Sequence, residues 1–287
     1  MKLKQLESIL STVNYKFETP RIELEQYPTS PHLAASVCLA AYGRGDLGKF
    51  LWFNSYVFDW KNRLISCNVI YTGPEVAVAD LGCGTGMLTL ASACLDCYQI
   101  IAVDVDEDAL EQARQNALEM EVDHIVDFIH AELQFSPSST TISHHLTNKR
   151  GGGKQKSKLH NIHSSYEPKT DGIPLIDSCV DTVLINPPFG TKHNAGIDVG
   201  FLAAGCRLAR TCVYSFHKSS TRAHLQKKAI EWNMGFEVVA EMKFDIQNSY
   251  KFHKQKCVDV EVDLIRLHHL TWRPDPRTKY EILLTST

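Results

Sequence analysis

Short apolar runs of the length of buried strands alternate with amphipathic helical patterns along most of the chain. The strand-like runs are residues 75–82, 99–106, 125–131, 179–188, 211–218, 236–246 and 257–269, and the clearest helical patterns are residues 107–120 and 220–233. Such alternation predicts an α/β fold with a parallel sheet and crossover helices. Because no helical pattern separates the last two runs, we expect them to pair antiparallel and close the sheet.

Two segments do not fit this plan. Residues 134–172 are polar, rich in Gly and Ser and locally basic, which predicts a disordered insertion. Its basic stretch, 149–158, is either a nuclear-localisation or RNA-tethering segment or a solvated loop. Residues 44–73 are rich in aromatic side chains and form either an added packing element or a partner surface. We interpret 1–287 as a single domain with these two insertions and a C-terminal extension, 268–287.

Composition limits the location and the partners. With 44% hydrophobic residues, 22% charged residues and a net charge of -3, the chain is typical of globular proteins, and any nucleic-acid contact requires a local basic face. Nine cysteines without framework spacing indicate a reducing compartment. Cys94 and Cys97 form the only CxxC, without a second pair, so buried thiols are favoured over a metal site.

The first residues predict a helix rather than a targeting segment. Leu3, Leu6, Ile9, Leu10 and Val13 have amphipathic helical spacing, and no secretory apolar run accompanies them. The sequence also has no uninterrupted apolar span of transmembrane length. We therefore expect neither secretion nor membrane insertion.

A glycine-rich loop follows the first predicted strand. In AVADLGCGTGML, Gly82, Gly84 and Gly86 stand between strand and helix, so the backbone can approach a ligand closely. The dinucleotide fingerprint requires a small residue where Met87 stands, and no P-loop lysine follows. With Asp80 leading it, the loop fits a cofactor that has an amino-acid end, such as S-adenosylmethionine.

Acidic residues follow the next two predicted strands. Asp104 ends the second strand, where an acid accepts hydrogen bonds from an adenosine ribose. Asp106 is better placed to cap the following helix. After the third strand, Glu132 is a candidate for the adenine amine and Leu133 for packing on the ring; the alternative for Glu132 is a solvated loop acid.

The fourth predicted strand ends in Asn-Pro-Pro-Phe. Pro187 and Pro188 cannot continue a ladder, so the chain end is stiff. The Asn186 side-chain oxygen and the Pro187 carbonyl are then preset acceptors for the two hydrogens of an exocyclic amine, and Phe189 is placed to stack on its ring. This arrangement predicts methyl transfer to a conjugated amine. The alternative is a turn after a core strand.

Several motifs together resemble one known family. They are LEQYPTSPHLAA, ADLGCGTGML, VDVDEDALE, INPPFGTK, ARTCVYSFHKSSTR, SYKFHK and VDVEVDLIR. They resemble the eukaryotic methyltransferase-like five family, the N6-adenosine methyltransferases of small-subunit (18S) ribosomal RNA. The resemblance implies a Rossmann-like class I S-adenosylmethionine-dependent fold, a seven-stranded mostly parallel sheet with an antiparallel closing strand, and strand order 3-2-1-4-5-7-6. It also implies a small zinc-binding activator subunit and a location in nucleus and cytoplasm.

The resemblance also implies roles for individual residues. The implied cofactor contacts are Gln26, Thr29, Gly82, Thr85, Met87, Asp104, Glu132 and Leu133, and the implied catalytic residues are Asn186, Pro187, Pro188 and Phe189. The family commonly has cysteine, valine and aspartate where Thr85, Met87 and Glu132 stand, so the resemblance supports backbone contacts better than side-chain contacts at these three positions.

Basic residues follow the predicted site in sequence. The candidates for RNA phosphate contacts are Lys192, His217, Lys218, Arg222, Lys251 and Lys254. Tyr250 and Phe252 lie among them and are candidates for base stacking. The alternative is a solvated turn between the last two strands.

Two other functions stay open at this point, and one surface calls for a partner. An N5-glutamine protein methyltransferase uses the same acceptor geometry, usually with tyrosine where Phe189 stands. A catalytically silent RNA-binding scaffold is the second alternative. In the implied strand order, residues 125–131 form an edge strand that either the activator subunit or the aromatic segment 50–60 covers.

Overall fold

The computed structural model describes residues 1–48, 51–58, 64–71, 76–133, 171–189, 196–247 and 257–271. Its helices are α1 (Leu3–Leu10), α2 (Pro31–Arg44), α3 (Met87–Ala93), α4 (Glu107–Glu119), α5 (Ile197–Leu208) and α6 (Arg222–Glu231). Its strands are β1 (Leu51–Phe58), β2 (Leu64–Tyr71), β3 (Ala77–Leu81), β4 (Gln99–Asp104), β5 (Val126–His130), β6 (Val180–Ile185), β7 (Ala209–Lys218), β8 (Met234–Gln247) and β9 (Cys257–His269).

Seven strands form the central sheet, in the order β5-β4-β3-β6-β7-β9-β8. The strands from β5 to β7 are parallel, whereas β9 pairs antiparallel with both β7 and β8. The predicted α/β class, the strand order and the antiparallel closing strand are therefore confirmed.

Helices cover both faces of the sheet. On one face, α1, α2 and α3 pack on a core that includes Leu184, Tyr214 and Phe216; on the other, α5 and α6 pack on Val183 and Val213. The two sets of strand residues alternate because successive side chains of a strand point to opposite faces.

The predicted N-terminal helix is present as α1. Leu6 and Leu10 are fully buried, and Val13 is buried just beyond the helix end, whereas Leu3 and Ile9 are exposed. The amphipathic pattern therefore identified the inward stripe of the helix and overestimated its width.

Strand register brings the predicted site residues together at the carboxyl ends of neighbouring strands. Leu81 at the end of β3 pairs with Val103 of β4 on one side and with Ile185 of β6 on the other. The glycine loop, Asp104 and Asn186 follow these residues directly, so their proximity is a consequence of parallel pairing.

The aromatic segment 44–73 contains a separate two-stranded sheet. Its strands β1 and β2 pair antiparallel, from Leu51 with Tyr71 to Phe58 with Leu64. The segment leaves α2 through Asp46, whose carboxylate accepts from Arg266 at 2.8 and 3.1 Å and from the Tyr214 hydroxyl at 2.6 Å. The base of this segment is therefore fastened to the central sheet.

Most of the second insertion and of the C-terminal extension lies outside the described residues, and so does the predicted disorder of residues 134–172 except at positions 171 and 172. Where the chain is described again, Asp171 pairs with Arg207 of α5 at 2.7 Å. None of the helices in the described ranges is long and apolar enough to cross a membrane.

Helix α5 packs closely on the sheet at Gly205, and this contact can be tested. A Cβ at Gly205 would lie 2.8 Å from Ile185 Cδ1 and 3.1 Å from Val213 Cγ1. We expect Gly205→Ala to lower the free energy of unfolding by up to about 2 kcal/mol, because overpacking of the core costs about 1–3 kcal/mol and the gain in helix propensity offsets up to about 1 kcal/mol of it. The matched control is Gly43→Ala in α2, where a Cβ meets nothing within 4 Å. This change should raise stability by up to about 1 kcal/mol. Denaturant titration measures both, and a stabilised Gly205→Ala would contradict the packing.

Candidate active site

The glycine loop has a backbone that only glycine adopts easily. Gly82, Gly84 and Gly86 have φ angles of +72°, +52° and +86°. A Cβ at Gly84 would also lie 2.8 Å from the ring of Phe17, and one at Gly86 would lie 3.1 Å from Ala113 Cβ. Because Gly84 has no side chain, the Phe17 ring can pack directly on the backbone of the loop.

Asp104 is held by the backbone at the end of β4. Its two carboxylate oxygens accept hydrogen bonds from the N–H of Gly84 at 2.7 Å and of Asp106 at 2.9 Å. Burial raises the pKa of Asp104, and the hydrogen bonds from Asp106 and Gly84 oppose that rise. The carboxylate therefore has a fixed orientation, and it lines the cavity above the sheet.

Asp80 lies beneath the loop. Its Oδ2 accepts from the backbone N–H of Thr89 at 2.9 Å and from the Thr89 hydroxyl at 2.7 Å, so it caps α3, whose N-cap residue is Gly86. The Oδ1 atom is buried without a hydrogen-bond partner in the described residues, and burial raises the pKa of Asp80 to about 7. Asp80 was predicted to contact the cofactor directly; in the structure it supports the loop and the start of α3 instead.

A cavity of about 620 Å³ opens over the carboxyl ends of β3, β4 and β6. The predicted site residues that line it are Gln26, Thr29, Gly82, Gly84, Thr85, Asp104, Glu132, Leu133, Asn186, Pro187, Pro188 and Phe189. Asp80 and Met87 are not among the lining residues, because both side chains are buried below the loop. The volume lies within the range of small-molecule sites, about 300–1,000 Å³.

Residues 11–30, here called the N-terminal strap, cross the cavity mouth and supply lining residues that the sequence analysis missed. Tyr15, Lys16, Phe17, Pro20, Glu23, Leu24, Glu25 and Tyr27 line the cavity. Glu25 is buried and has a φ of +50°, which is rare outside glycine. The available sequence signal was the aromatic pair Tyr15 and Phe17 in a stretch without helical spacing.

The strap is fastened to α4 by polar contacts. The Asn116 amide donates at 2.9 Å to the carbonyl of Asn14, and the Gln26 amide donates at 2.6 Å to Asp106. Arg21 pairs with Asp106 at 3.1 Å. Gln26 thus lines the cavity while its amide nitrogen holds the strap.

Asn186 has a fixed side chain at the cavity wall. Its amide nitrogen donates to the Thr29 hydroxyl at 2.9 Å, and its oxygen, at the other end of the amide plane, meets no donor in the described part of the chain and can accept a ligand hydrogen. Thr29 of the motif LEQYPT therefore orients Asn186 of the motif NPPF.

Phe189 stands in a row of aromatic rings. Its centroid lies 5.8 Å from Phe244 in an edge-to-face contact, and Phe244 lies 5.5 Å from the buried Phe216 at an interplanar angle of 90°. Phe244 also lines the cavity. This row connects the Phe189 ring to the hydrophobic core, and Phe244 was not identified from the sequence.

The candidate RNA contacts have different surroundings. His217 is buried at 1% exposure, so it cannot reach an RNA phosphate, which corrects the prediction for this residue. Arg222 is engaged with Asp263, at 2.6 and 2.7 Å, and with Glu241, at 2.8 Å, so its charge is already paired. Lys218 is half-buried beside Lys243 at a surface depression. Lys192, Lys251 and Lys254 lie outside the described residues.

The fold and the site together define a class of protein. A seven-stranded sheet of this order, with a glycine loop and an acid at adjoining strand ends, is that of Rossmann-like class I methyltransferases. The sequence profile of the family described as Ribosomal protein L11 methyltransferase (PrmA) matches residues 67–142. The protein PH1948 from Pyrococcus horikoshii has a similar fold, with a TM-score of 0.62 and 23% identity over 94% of this chain and 99% of that one.

Curated relatives narrow the class to a family. The zebrafish (Danio rerio) rRNA N(6)-adenosine-methyltransferase METTL5 is 40% identical over 93% of this chain and 98% of its own length. The Drosophila melanogaster Mettl5 protein is also 40% identical, over 93% of this chain and 96% of its own length. The Caenorhabditis elegans metl-5 protein is 32% identical over 88% of this chain and 92% of its own length. The chain belongs to this METTL5 family, which confirms the resemblance seen in the motifs.

The orientation of Asp104 leads to a prediction for cofactor binding. We expect Asp104→Ala to weaken S-adenosylmethionine binding by roughly 10- to 100-fold, since a hydrogen bond to a charged group contributes about 1.5–3 kcal/mol. The control is Asp127→Ala, which removes an exposed aspartate from the neighbouring strand β5 and should leave affinity unchanged. Calorimetric titration gives both affinities, and thermal melting confirms that the variants are folded. Equal affinity for Asp104→Ala and the parent chain would remove Asp104 from the binding site.

Proposed function

We propose that this chain transfers a methyl group from S-adenosylmethionine to N6 of an adenosine in small-subunit ribosomal RNA. The observation that carries the proposal is the Asn186 amide, held by Thr29 at the wall of the cavity with Phe189 beside it. The names of the METTL5 relatives support the base and the class of RNA.

The lining of the cavity fits the cofactor. Asp104 is oriented at the strand end, as a ribose hydroxyl pair requires, and Gly82 and Gly84 line the same cavity, where the amino-acid end of the ligand would lie. Glu132 and Leu133 line the same cavity, beyond Asp104 along the sheet. S-adenosylmethionine bound there supplies an electrophilic methyl group on a sulfonium.

The acceptor is oriented by the chain itself. An exocyclic amine conjugated to a ring is a weak nucleophile because its lone pair is delocalised. The Asn186 Oδ1 atom and the Pro187 carbonyl accept its two hydrogens, which turns the nitrogen lone pair into the cavity. Phe189 stacks on the base and fixes its plane. Positioning of this kind contributes up to about 7–11 kcal/mol of barrier lowering.

The approach surface for RNA includes Lys218 and Lys243. These lysines lie on β7 and β8, beside the end of the sheet that carries the cavity. Phosphate contacts there position the strand without reading its sequence. Lys192, Lys251 and Lys254 are further proposed contacts from segments that adjoin β6 and β8 in sequence.

We also propose that a small zinc-binding activator subunit covers β5. This strand ends the central sheet, so one row of its backbone groups lies at an edge. The strands β1 and β2 pair with each other and belong to a second sheet, so their hydrogen bonds do not cover that edge. Half-buried Phe128 and, on adjacent α4, exposed Leu118 add apolar surface. Strand addition would satisfy the backbone and bury these side chains.

Nucleus and cytoplasm are the proposed locations, because small-subunit ribosomal RNA is made in one and used in the other. The basic stretch 149–158 is the proposed nuclear signal. Imaging of the tagged chain with and without this stretch tests it; an unchanged distribution would reject the signal.

The acceptor geometry gives a prediction for turnover. Asn186→Ala and Phe189→Ala should lower the single-turnover rate on small-subunit RNA by at least about 100-fold, with cofactor affinity changed less than about threefold, because both act on the transition state. Thr29→Val should lower the rate less at saturating cofactor, because the Asn186 oxygen remains and only its orientation is lost. Mass spectrometry of nucleosides and of protein distinguishes N6-methyladenosine from N5-methylglutamine. A fully active Asn186→Ala variant would contradict the acceptor mechanism.

The partner surface gives a second prediction. Phe128→Asp should prevent formation of the complex with the co-expressed activator subunit, because a carboxylate buried in the docked surface would have no counter-charge. Since Phe128 also packs against the core, thermal melting must show that the variant is folded. The control is Ile230→Asp on α6, a 73% exposed position far from β5 in the strand order, which should leave the complex intact. Size-exclusion chromatography measures both. A soluble, active monomer without any partner would reject the proposal.

A further inference from the structure

Three buried side chains next to the active site form a hydrogen-bonded row that the proposed reaction does not use directly. The Ser215 hydroxyl lies 2.9 Å from His217 Nε2, and His217 Nδ1 lies 3.2 Å from Asp198 Oδ2. Ser215, His217 and Asp198 are 0%, 1% and 9% exposed. The row has the composition of a hydrolytic triad, but a fully buried serine cannot meet a substrate, so nucleophilic chemistry is excluded.

The row lies beside the catalytic strand end. Ser215 on β7 is paired with Ile185 on β6, the residue directly before Asn186. His217 is two residues further along β7, on the same face of the sheet, and so lies level with the Asn-Pro-Pro-Phe segment. Asp198 belongs to the first turn of α5, where the described chain resumes after that segment.

The first turn of α5 is also part of the cavity wall. Ile197 and Phe201 both line the cavity, and the Phe201 ring lies so close to Gly82 that a Cβ there would be 3.1 Å away. The N-cap residue of α5 is Gly196, in a left-handed conformation and without a side-chain cap. Gly196 has no side chain that could hold this turn. The hydrogen bond between Asp198 and His217 of β7 therefore contributes to holding it.

The direction of the hydrogen bonds is defined by Asp198. Burial has the largest single effect and raises the pKa of this carboxyl, but the hydrogen bond and charge of His217, together with backbone hydrogen bonds from Val199 and Asp198, outweigh burial and hold the pKa below its usual value. An ionised carboxylate only accepts, so His217 donates from Nδ1 to Asp198, and its Nε2 faces the Ser215 hydroxyl.

We infer that His217 is a positioning residue for methyl transfer: through Asp198 it holds the first turn of α5, and with it Ile197 and Phe201, in the cavity wall. This inference depends on the proposed function, because it concerns the same cavity and the same reaction. His217 is buried and does not line the cavity, so its role is to hold the part of the cavity wall that Ile197 and Phe201 form.

The two nitrogens of His217 can be separated by substitution. An asparagine places its amide nitrogen as many bonds from the backbone as Nδ1, so His217→Asn keeps the donor to Asp198. A glutamine reaches the place of Nε2, so His217→Gln keeps the Ser215 side and loses the donor to Asp198. Ser215→Ala removes the opposite contact and leaves the pair with Asp198 intact.

The full chain is tested in single-turnover assays with small-subunit RNA, together with cofactor titration and hydrogen exchange of residues 197–201. His217→Gln should slow transfer on the order of 10- to 100-fold, with cofactor affinity within about threefold, as expected for a misplaced wall. Exchange in residues 197–201 should rise in the same variant. His217→Asn and Ser215→Ala should stay close to the parent chain in all three measurements.

The other outcomes overturn one idea or the other. Unchanged exchange in His217→Gln overturns the inference whatever the activity, and so does raised exchange with an unchanged rate. If His217→Gln and His217→Asn lose the same fraction of the single-turnover rate and both lose cofactor affinity, the three residues only stabilise the fold and the inference is rejected. A parent chain that, co-expressed with the activator subunit, binds cofactor without methylating small-subunit RNA rejects the proposed function, and hydrogen exchange then still decides whether His217 holds the turn.

Discussion

Asp104 receives two backbone hydrogen bonds, and the geometry of the site depends on them. The bond from Gly84 sets the glycine loop, and the bond from Asp106 sets the start of α4. Asp106 then caps α4 through the N–H of Asp108 and accepts the Gln26 amide from the strap. Asp104 thus fixes the glycine loop, which forms the floor of the cavity, by a direct hydrogen bond. It fixes the strap, which covers the cavity, through Asp106. Such a carboxylate supports the structure of the site and is also the proposed ligand for the ribose.

The charge of the cavity determines which parts of a substrate can enter it. Its described lining includes the acids Glu23, Glu25, Asp104 and Glu132, with Lys16 as the basic residue. Carboxylates in a cavity lining favour a cationic ligand such as a sulfonium over phosphate groups. A nucleotide base is therefore the part of RNA that suits this lining better than a phosphate does. The proposed phosphate contacts, Lys218 and Lys243, lie outside the cavity at a depression that also contains Glu261.

Pattern and motif predicted the sheet and the main site residues because both depend on local chemistry. Alternating apolar runs identified the strands, and parallel register then brought Gly84, Asp104 and Asn186 together. The role of His217 was misread because charge is visible in a sequence whereas burial and pairing are not. The strap was missed for a related reason, since its contacts with α4 join residues far apart in the chain and leave no periodic signal.

The cover of the cavity is held differently from its floor. On either side of the strap, α1 and α2 are anchored in the core by buried residues such as Leu6, Leu10 and Cys38. The strap itself is fastened by hydrogen bonds and by the Arg21 ion pair, in which the arginine side chain is 42% exposed. The exposed Arg21 pair contributes less than about 1 kcal/mol, whereas the Gln26 bond to Asp106 is buried and Val13 of the strap belongs to the core. Local opening of the cover therefore begins most easily on the exposed Arg21 side, between these two buried contacts.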